Sequence, residues 1–262
     1  MVFSSTLFLF RFLPIFFIFY FMAPGRMKNV ILLLGSLFFY AWGEPVYVLL
    51  ILFTTLSDYW YGRVIESNKR RGAKTFFLVN SILINLLVLG FFKYADFLTE
   101  SCNRLLGTTF PLWELPVPIG ISFYTLQCMS YVIDCYRGKV KAQRNFLDFA
   151  VYVTMFPQLL LGPIVKYSLA EKQLCRREPD IIRISYGCKR FVIGLAKKVL
   201  LANQLGMLWM EVTGNDFAEL PVMIAWLGVA ALGLQIYFEF SGFADMAIGL
   251  GACLGFDFPE NF

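Results

Sequence analysis

The length of the apolar runs constrains this chain more than any other feature. Phe3 to Met22, Thr75 to Leu98 and Pro116 to Tyr136 carry few ionisable groups. Each reaches the ~20 residues that a helix needs to cross ~30 Å of hydrocarbon. The alternating ten-residue segments of a membrane β-barrel are absent. Only 16% of residues are charged while 58% are hydrophobic, and the mean hydropathy is +0.65. Soluble domains carry about 25% charged residues. The expectation is an all-α, polytopic membrane protein with about seven to nine membrane segments. No repeat, linker or low-complexity tract divides residues 1–262, so one domain is expected.

Phe3–Met22 is too long for a removable signal peptide and lacks a small-residue cleavage site, which makes it the expected first span. Its Arg11 either snorkels or faces protein. The loops then allow a parity test, because cytoplasmic loops collect Lys and Arg. Arg63–Lys74 holds five cations and one acid, whereas Thr99–Leu115 holds one cation and two acids. Placing the first inside puts Arg26/Lys28 and Arg137–Arg144 inside too, with Gly43–Pro45 and Thr99–Leu115 outside. The N-terminus is then outside. The net charge of +5 resides in loops beside spans, which argues against nucleic acid as a partner and for the lipid bilayer.

Phe146–Val165 breaks the alternation. It contains Asp148, Pro157, Gln158 and Pro163 between two basic flanks. A re-entrant or broken segment is expected, with a true span beside a misplaced loop as the other reading. Residues 183–200 are amphipathic: Ile184, Cys188, Phe191, Leu195 and Val199 share one stripe, and Arg183, Arg190 and Lys197 recur every seven residues. That pattern suits either an interfacial helix near 183–200 or the solvated face of a tilted one.

Histidine is absent from the 262 residues. These residues therefore hold no Ser-His or Cys-His pair and lack the commonest neutral-pH general base. The six cysteines show neither a CxxC pair nor metal-ligand spacing, so free thiols and no metal are expected. The remaining candidates are polar groups inside apolar runs: Ser122, Gln127, Asp134, Gln158, Gln235, Glu239, Ser241 and Asp245. A charged group in hydrocarbon costs roughly 2.5–3.5 kcal/mol even on lenient scales, so such residues tend to line a cavity or pathway. Gln158, Gln235, Glu239, Ser241 and Asp245 are the candidate funnel-lining set. Ser241-Gly242 is an expected kink, and Gly251/Gly255 an expected close-packing pair. Two other readings stand beside the funnel: a transporter or channel that uses the intramembrane carboxylates as an ion or substrate path, and an inactive membrane scaffold for a partner enzyme.

Five blocks carry a resemblance: SLFFYAWGEPVYVLL (Ser36–Leu50), LPVPIGISFYTLQCMSYVIDCYRG (Leu115–Gly138), NFLDFAVYVTMFPQLLLGPIVKYS (Asn145–Ser168), RFVIGLAKKVLLAN (Arg190–Asn203) and LQIYFEFSGFADMAIGLGACLGFDFPENF (Leu234–Phe262). In this order they resemble the membrane-bound O-acyltransferase family, in particular its bacterial alginate O-acetyltransferase branch. The resemblance implies a ring of helices around a funnel in the bacterial inner membrane. It also implies acetyl-CoA or another acyl thioester as cytoplasmic donor, with no bound cofactor. The implied acceptor is an exported polysaccharide, with a periplasmic protein finishing the transfer. Glu239 stands where the family usually has aspartate. The family's essential histidine lies in a segment beyond the PENF block, and no position here matches it. The resemblance thus implies the N-terminal, funnel-forming portion of such an enzyme, without a catalytic residue of its own.

Overall fold

The computed structural model describes residues 3–25, 27–159, 162–163, 165–175, 177, 180–214 and 221–261. Among them the chain is helical and contains no strand, as the long apolar runs predict. Ten helices follow in order: α1 (Phe8–Met22), α2 (Lys28–Gly43), α3 (Val48–Ser67), α4 (Arg71–Leu106), α5 (Ile121–Tyr136), α6 (Phe146–Thr154), α7 (Phe156–Leu159), α8 (Tyr167–Cys175), α9 (Ile181–Thr213) and α10 (Val222–Leu254). Three of these, α4, α9 and α10, are long and apolar enough to cross a membrane, while α1 and α2 are shorter apolar helices. Large exposed apolar side chains coat them, among them Leu87, Phe97, Met223 and Trp226. In water such a surface would aggregate, and against lipid it is at rest. Arg11 is exposed on α1.

Two compact units can be described separately. The larger comprises Phe19–Leu160 and Ile164–Cys175, in which α3, α4 and α5 pack together and α2 lies on α6. Gly62 lets α3 approach α5, because a Cβ there would lie 2.7 Å from the Tyr131 ring. Asp58 of α3 is fully buried and accepts from Ser81 Oγ (2.6 Å) and from Asn85 Nδ2 (3.0 and 2.9 Å), both on α4. A buried carboxylate held by such donors ties two apolar helices at one depth.

The break expected within 146–165 is present and has a backbone account. Asn145 caps α6 by accepting from Leu147 N–H, and the helix stops at Met155. Without the break, Tyr152 C=O would accept from Phe156 N–H. That N–H instead donates to Ser36 Oγ of α2 at 3.1 Å. The side-chain amides of Gln127 (2.7 Å) and Gln158 take its place on the Tyr152 carbonyl. Pro157 has no N–H to lose. Irregular backbone is therefore buried here without an orphaned Tyr152 carbonyl, as the interior of a membrane protein requires.

The smaller unit comprises Met1–Ile18, Leu161–Pro163 and Arg176–Phe262, and its frame is the pairing of α9 with α10. Three expectations change here. First, residues 183–200 are not a separate interfacial helix; they are the opening half of the 33-residue α9. Its inward face carries Gly187, Arg190, Gly194 and Lys197, while Val192, Ile193 and Leu200 are exposed. The polar stripe turns inward because it meets carboxylates on α10. Second, Ser241-Gly242 does not interrupt α10, which runs as one helix from Val222 to Leu254. Gly242 instead admits a neighbouring backbone: a Cβ there would lie 2.8 Å from Gly194 C=O. Third, Gly251 and Gly255 are not a helix-packing pair. Gly255 ends α10 in the left-handed region at φ 87°, and Gly251 accommodates the Phe258 ring. The close-packing pairs are Gly187 with Gly249 and Gly194 with Gly242, spaced seven residues apart on each helix.

A charged seam as candidate functional site

Four of the five expected funnel-lining residues, Gln235, Glu239, Ser241 and Asp245, lie on α10 and meet α9. Asp245 is the centre. Its Oδ1 accepts from Arg190 Nε (3.1 Å) and Nη2 (2.9 Å), and its Oδ2 from Lys197 Nζ (2.6 Å). Lys197 Nζ also donates to Ser241 Oγ at 2.9 Å, and Lys198 pairs with Glu239. Arg190 holds Glu260 with both Nη groups, and its Nη1 also donates to Tyr186 OH (2.7 Å). Arg183 pairs with Asp257. Four cations therefore face four carboxylates. The balance matters, since an unpaired charge at this depth is far costlier than a paired one.

Burial grades along the seam. The Asp245 and Arg190 side chains are only 13% and 18% exposed, while Asp257 and Glu260 are more than half exposed. The inner pairs are therefore weakly screened and the outer ones strongly. Together with Arg177, which stacks over Phe256 at 4.4 Å, the outer pairs tie the segment after α10 back to α9.

Residues 197–202 form a π-helical segment within α9. The wider turn lets the adjacent residues Lys197 and Lys198 both reach α10, one to Ser241 and Asp245, the other to Glu239. Such bulges frequently mark functional positions. Beyond it, Gly206 accommodates Gln235, whose Nε2 would lie 2.8 Å from a Cβ there; the Oε1 of Gln235 is buried without a hydrogen-bond partner among the described residues. Gln158 belongs to the larger unit and is 3% exposed, its Nε2 on the Tyr152 carbonyl and its Oε1 without a partner among the described residues. The reading of polar residues missed Asp58, although a carboxylate within an apolar run is itself the signal. Arg183, Arg190 and Lys197, which the spacing suggests as a surface stripe, are instead part of the site, and Lys198 joins them.

Chemically, the seam positions and neutralises charge. Both oxygens of Asp245 are engaged, Ser241 faces a lysine ammonium and not a base, and no described residue offers a Ser-His or Cys-His pair.

No family model matches the chain. Individual proteins first give a class: over its whole length the chain is similar to members of the membrane-bound O-acyltransferases. The likeness is also more particular. All of the chain aligns, at 41% identity over 269 residues, with 51% of the probable alginate O-acetylase AlgI of Pseudomonas aeruginosa. It aligns at 40% with 53% of the protein of the same name from Azotobacter vinelandii. It aligns at 31% over 294 residues with 56% of the peptidoglycan O-acetyltransferase of Helicobacter pylori. The chain spans about half the length of the curated relatives it matches.

Proposed function

We propose that these 262 residues form part of a membrane O-acetyltransferase. In this reading an acetyl group passes from a cytoplasmic acyl thioester, such as acetyl-CoA, to a hydroxyl of an exported polysaccharide, with a periplasmic protein completing delivery. Identity of 40% and 41%, along the whole of this chain, with proteins named as O-acetylases supports the reading. The seam fits a supporting role in it: it fixes α9, α10 and the Phe256–Glu260 segment in one arrangement. Proton transfer is assigned elsewhere. Deprotonating a sugar hydroxyl needs a base within hydrogen-bond reach and poised near neutral pH. Residues outside these 262 supply it, and the chain by itself is inactive. The inner membrane, with the N-terminus outside, is the location that puts the basic loops on the donor side.

The test compares the 262-residue chain, purified in detergent, with a version extended by a homologous histidine-containing segment. Each receives an acetyl thioester and a polysaccharide acceptor. Acetyl transfer is expected only from the extended protein, because loss of one member of a cooperating catalytic set removes most of the rate. Comparable turnover by the short chain would place the base within these residues. Turnover by neither would count against acyl transfer itself.

A further inference from the structure

We infer that a cavity at the C-terminal end of α5 is a binding site for an organic phosphate. The cavity measures about 430 Å³ and belongs wholly to the larger unit. Three cations line it: Arg137 just past α5, Lys139 two residues on, and Lys166 directly ahead of α8. The turn that returns Lys139 over the helix end is fixed by Gly138 at φ 70°, with Lys139 N–H donating to Asp134 C=O at 3.0 Å.

Nothing else among the described residues neutralises these cations. None of the three makes an ion pair or side-chain hydrogen bond there, whereas the cations of the α9–α10 seam are all matched by carboxylates. Asp134 is the single acid in the lining, which leaves two positive charges unbalanced. Arg137, Lys139 and Lys166 are exposed, and like charges gathered around one concavity raise a positive potential in it. A phosphate monoester carries about −1.5 to −2 at neutral pH, which matches that excess. Ser130 and Ser168 add hydroxyl donors to the lining. The rest of the lining, Leu126, Met129 and Ile133 of α5, is apolar, so the ligand bears an apolar or thin aliphatic arm beside its phosphate.

Two sources share that chemistry: a soluble phosphorylated thiol on the cytoplasmic side, and the headgroup of an acidic phospholipid. Linking the first to catalysis rests on the acyl-transfer reading above; the phosphate preference rests on the cavity.

Coenzyme A is titrated calorimetrically into the 262-residue chain in neutral phosphatidylcholine nanodiscs. Native mass spectrometry counts phosphatidylglycerol retained when that lipid is supplied. The variants are Lys139→Gln with Lys166→Gln, and separately Arg137→Gln. Arg63→Gln, at a different surface cavity lined by Arg63, Glu66 and Arg144, is the control. Saturable coenzyme A binding, at least tenfold weaker in both cavity variants and unchanged in the control, supports the site and a soluble source. Retained phosphatidylglycerol that the cavity variants lose supports the site with a lipid source. Binding equal in parent and variants, or absent for both probes, overturns it. Acetyl transfer by the extended protein is measured separately, so the cavity can fail while the transfer reading stands.

Discussion

Gly194→Ala is the sharpest perturbation of the α9–α10 pair. An ideal Cβ at Gly194 would lie 2.6 Å from Gly242 C=O, 2.7 Å from Met246 N and 2.9 Å from the Asp245 Cβ. Two of those atoms are helix backbone and cannot rotate away. Ordinary van der Waals contact begins near 3.4 Å, so the helices must separate by about 0.8 Å at this point. The separation falls where the charges are densest. Arg190 precedes Gly194 by four residues and Lys197 follows it by three, while Glu239 and Asp245 flank Gly242 by three on either side. Overpacking a close contact costs about 1–3 kcal/mol. Lengthening the Arg190–Asp245 and Lys197–Asp245 pairs adds to that cost. Gly233→Ala on α10 is the matched control: nothing lies within 4 Å of its Cβ, and alanine there gains up to about 1 kcal/mol of helix propensity. The assay is equilibrium unfolding in mixed detergent micelles, followed by tryptophan fluorescence. Gly194→Ala should be less stable than the parent by about 1–3 kcal/mol, and Gly233→Ala equal or more stable. Gly242→Ala loses the same contact from the other side, so the double variant should cost less than the two singles combined. A Gly194→Ala protein as stable as Gly233→Ala would refute the close backbone crossing and the packing logic of the seam.

Two further outcomes are expected. Gln127→Leu and Gln158→Leu each remove a donor from the buried Tyr152 carbonyl and should each cost about 1–3 kcal/mol in the same unfolding assay, the pair costing more than either; a neutral double variant would mean that the broken segment is satisfied some other way. A cysteine at Arg71 should resist an impermeant thiol reagent in intact cells, while one at Thr109 should be labelled, both positions being exposed in the fold. Equal labelling would reverse or dissolve the proposed orientation.

The helices were legible because apolar runs of spanning length permit little else, and the break near Pro157 was legible because proline removes a backbone donor. What the sequence left open was facing. An amphipathic stripe in water points its charges outward, and the stripe at 183, 190 and 197 was read that way. In lipid the rule inverts, and those charges turn toward Asp257, Asp245, Glu260 and Ser241. A signal of the inversion is present in both helices: glycines seven apart at 187 and 194, and again at 242 and 249, mark the faces that touch. The π-helical segment at 197–202 had no such signature, since KKVLLA contains no glycine or proline to announce it. It is set by tertiary contact, two lysines finding separate carboxylates, and local sequence does not encode that. Gly251 and Gly255 misled for a related reason. The spacing of a GxxxG pair is informative only while the helix continues, and Gly255 is where α10 ends.

The seam also shows which interaction sets which. Ion pairs are tolerant in direction and reach, so four cations and four carboxylates could match in several registers along two long helices. A backbone crossing without Cβ atoms is not tolerant: Gly187 on Gly249 and Gly194 on Gly242 fit in one register, and a slip by one residue drives a side chain into a carbonyl. The glycines therefore fix the register, and the charges make departures from it costly, because a slipped helix would leave Arg190 or Asp245 largely buried without a partner. Packing alone would leave the pair free to separate in a solvent as apolar as its own side chains, and charge alone would leave its alignment undefined. Together they hold Lys197, Lys198, Ser241, Glu239 and Asp245 at one level of the helix pair, a fixed framework of the kind that a transfer site assembled beside it would require.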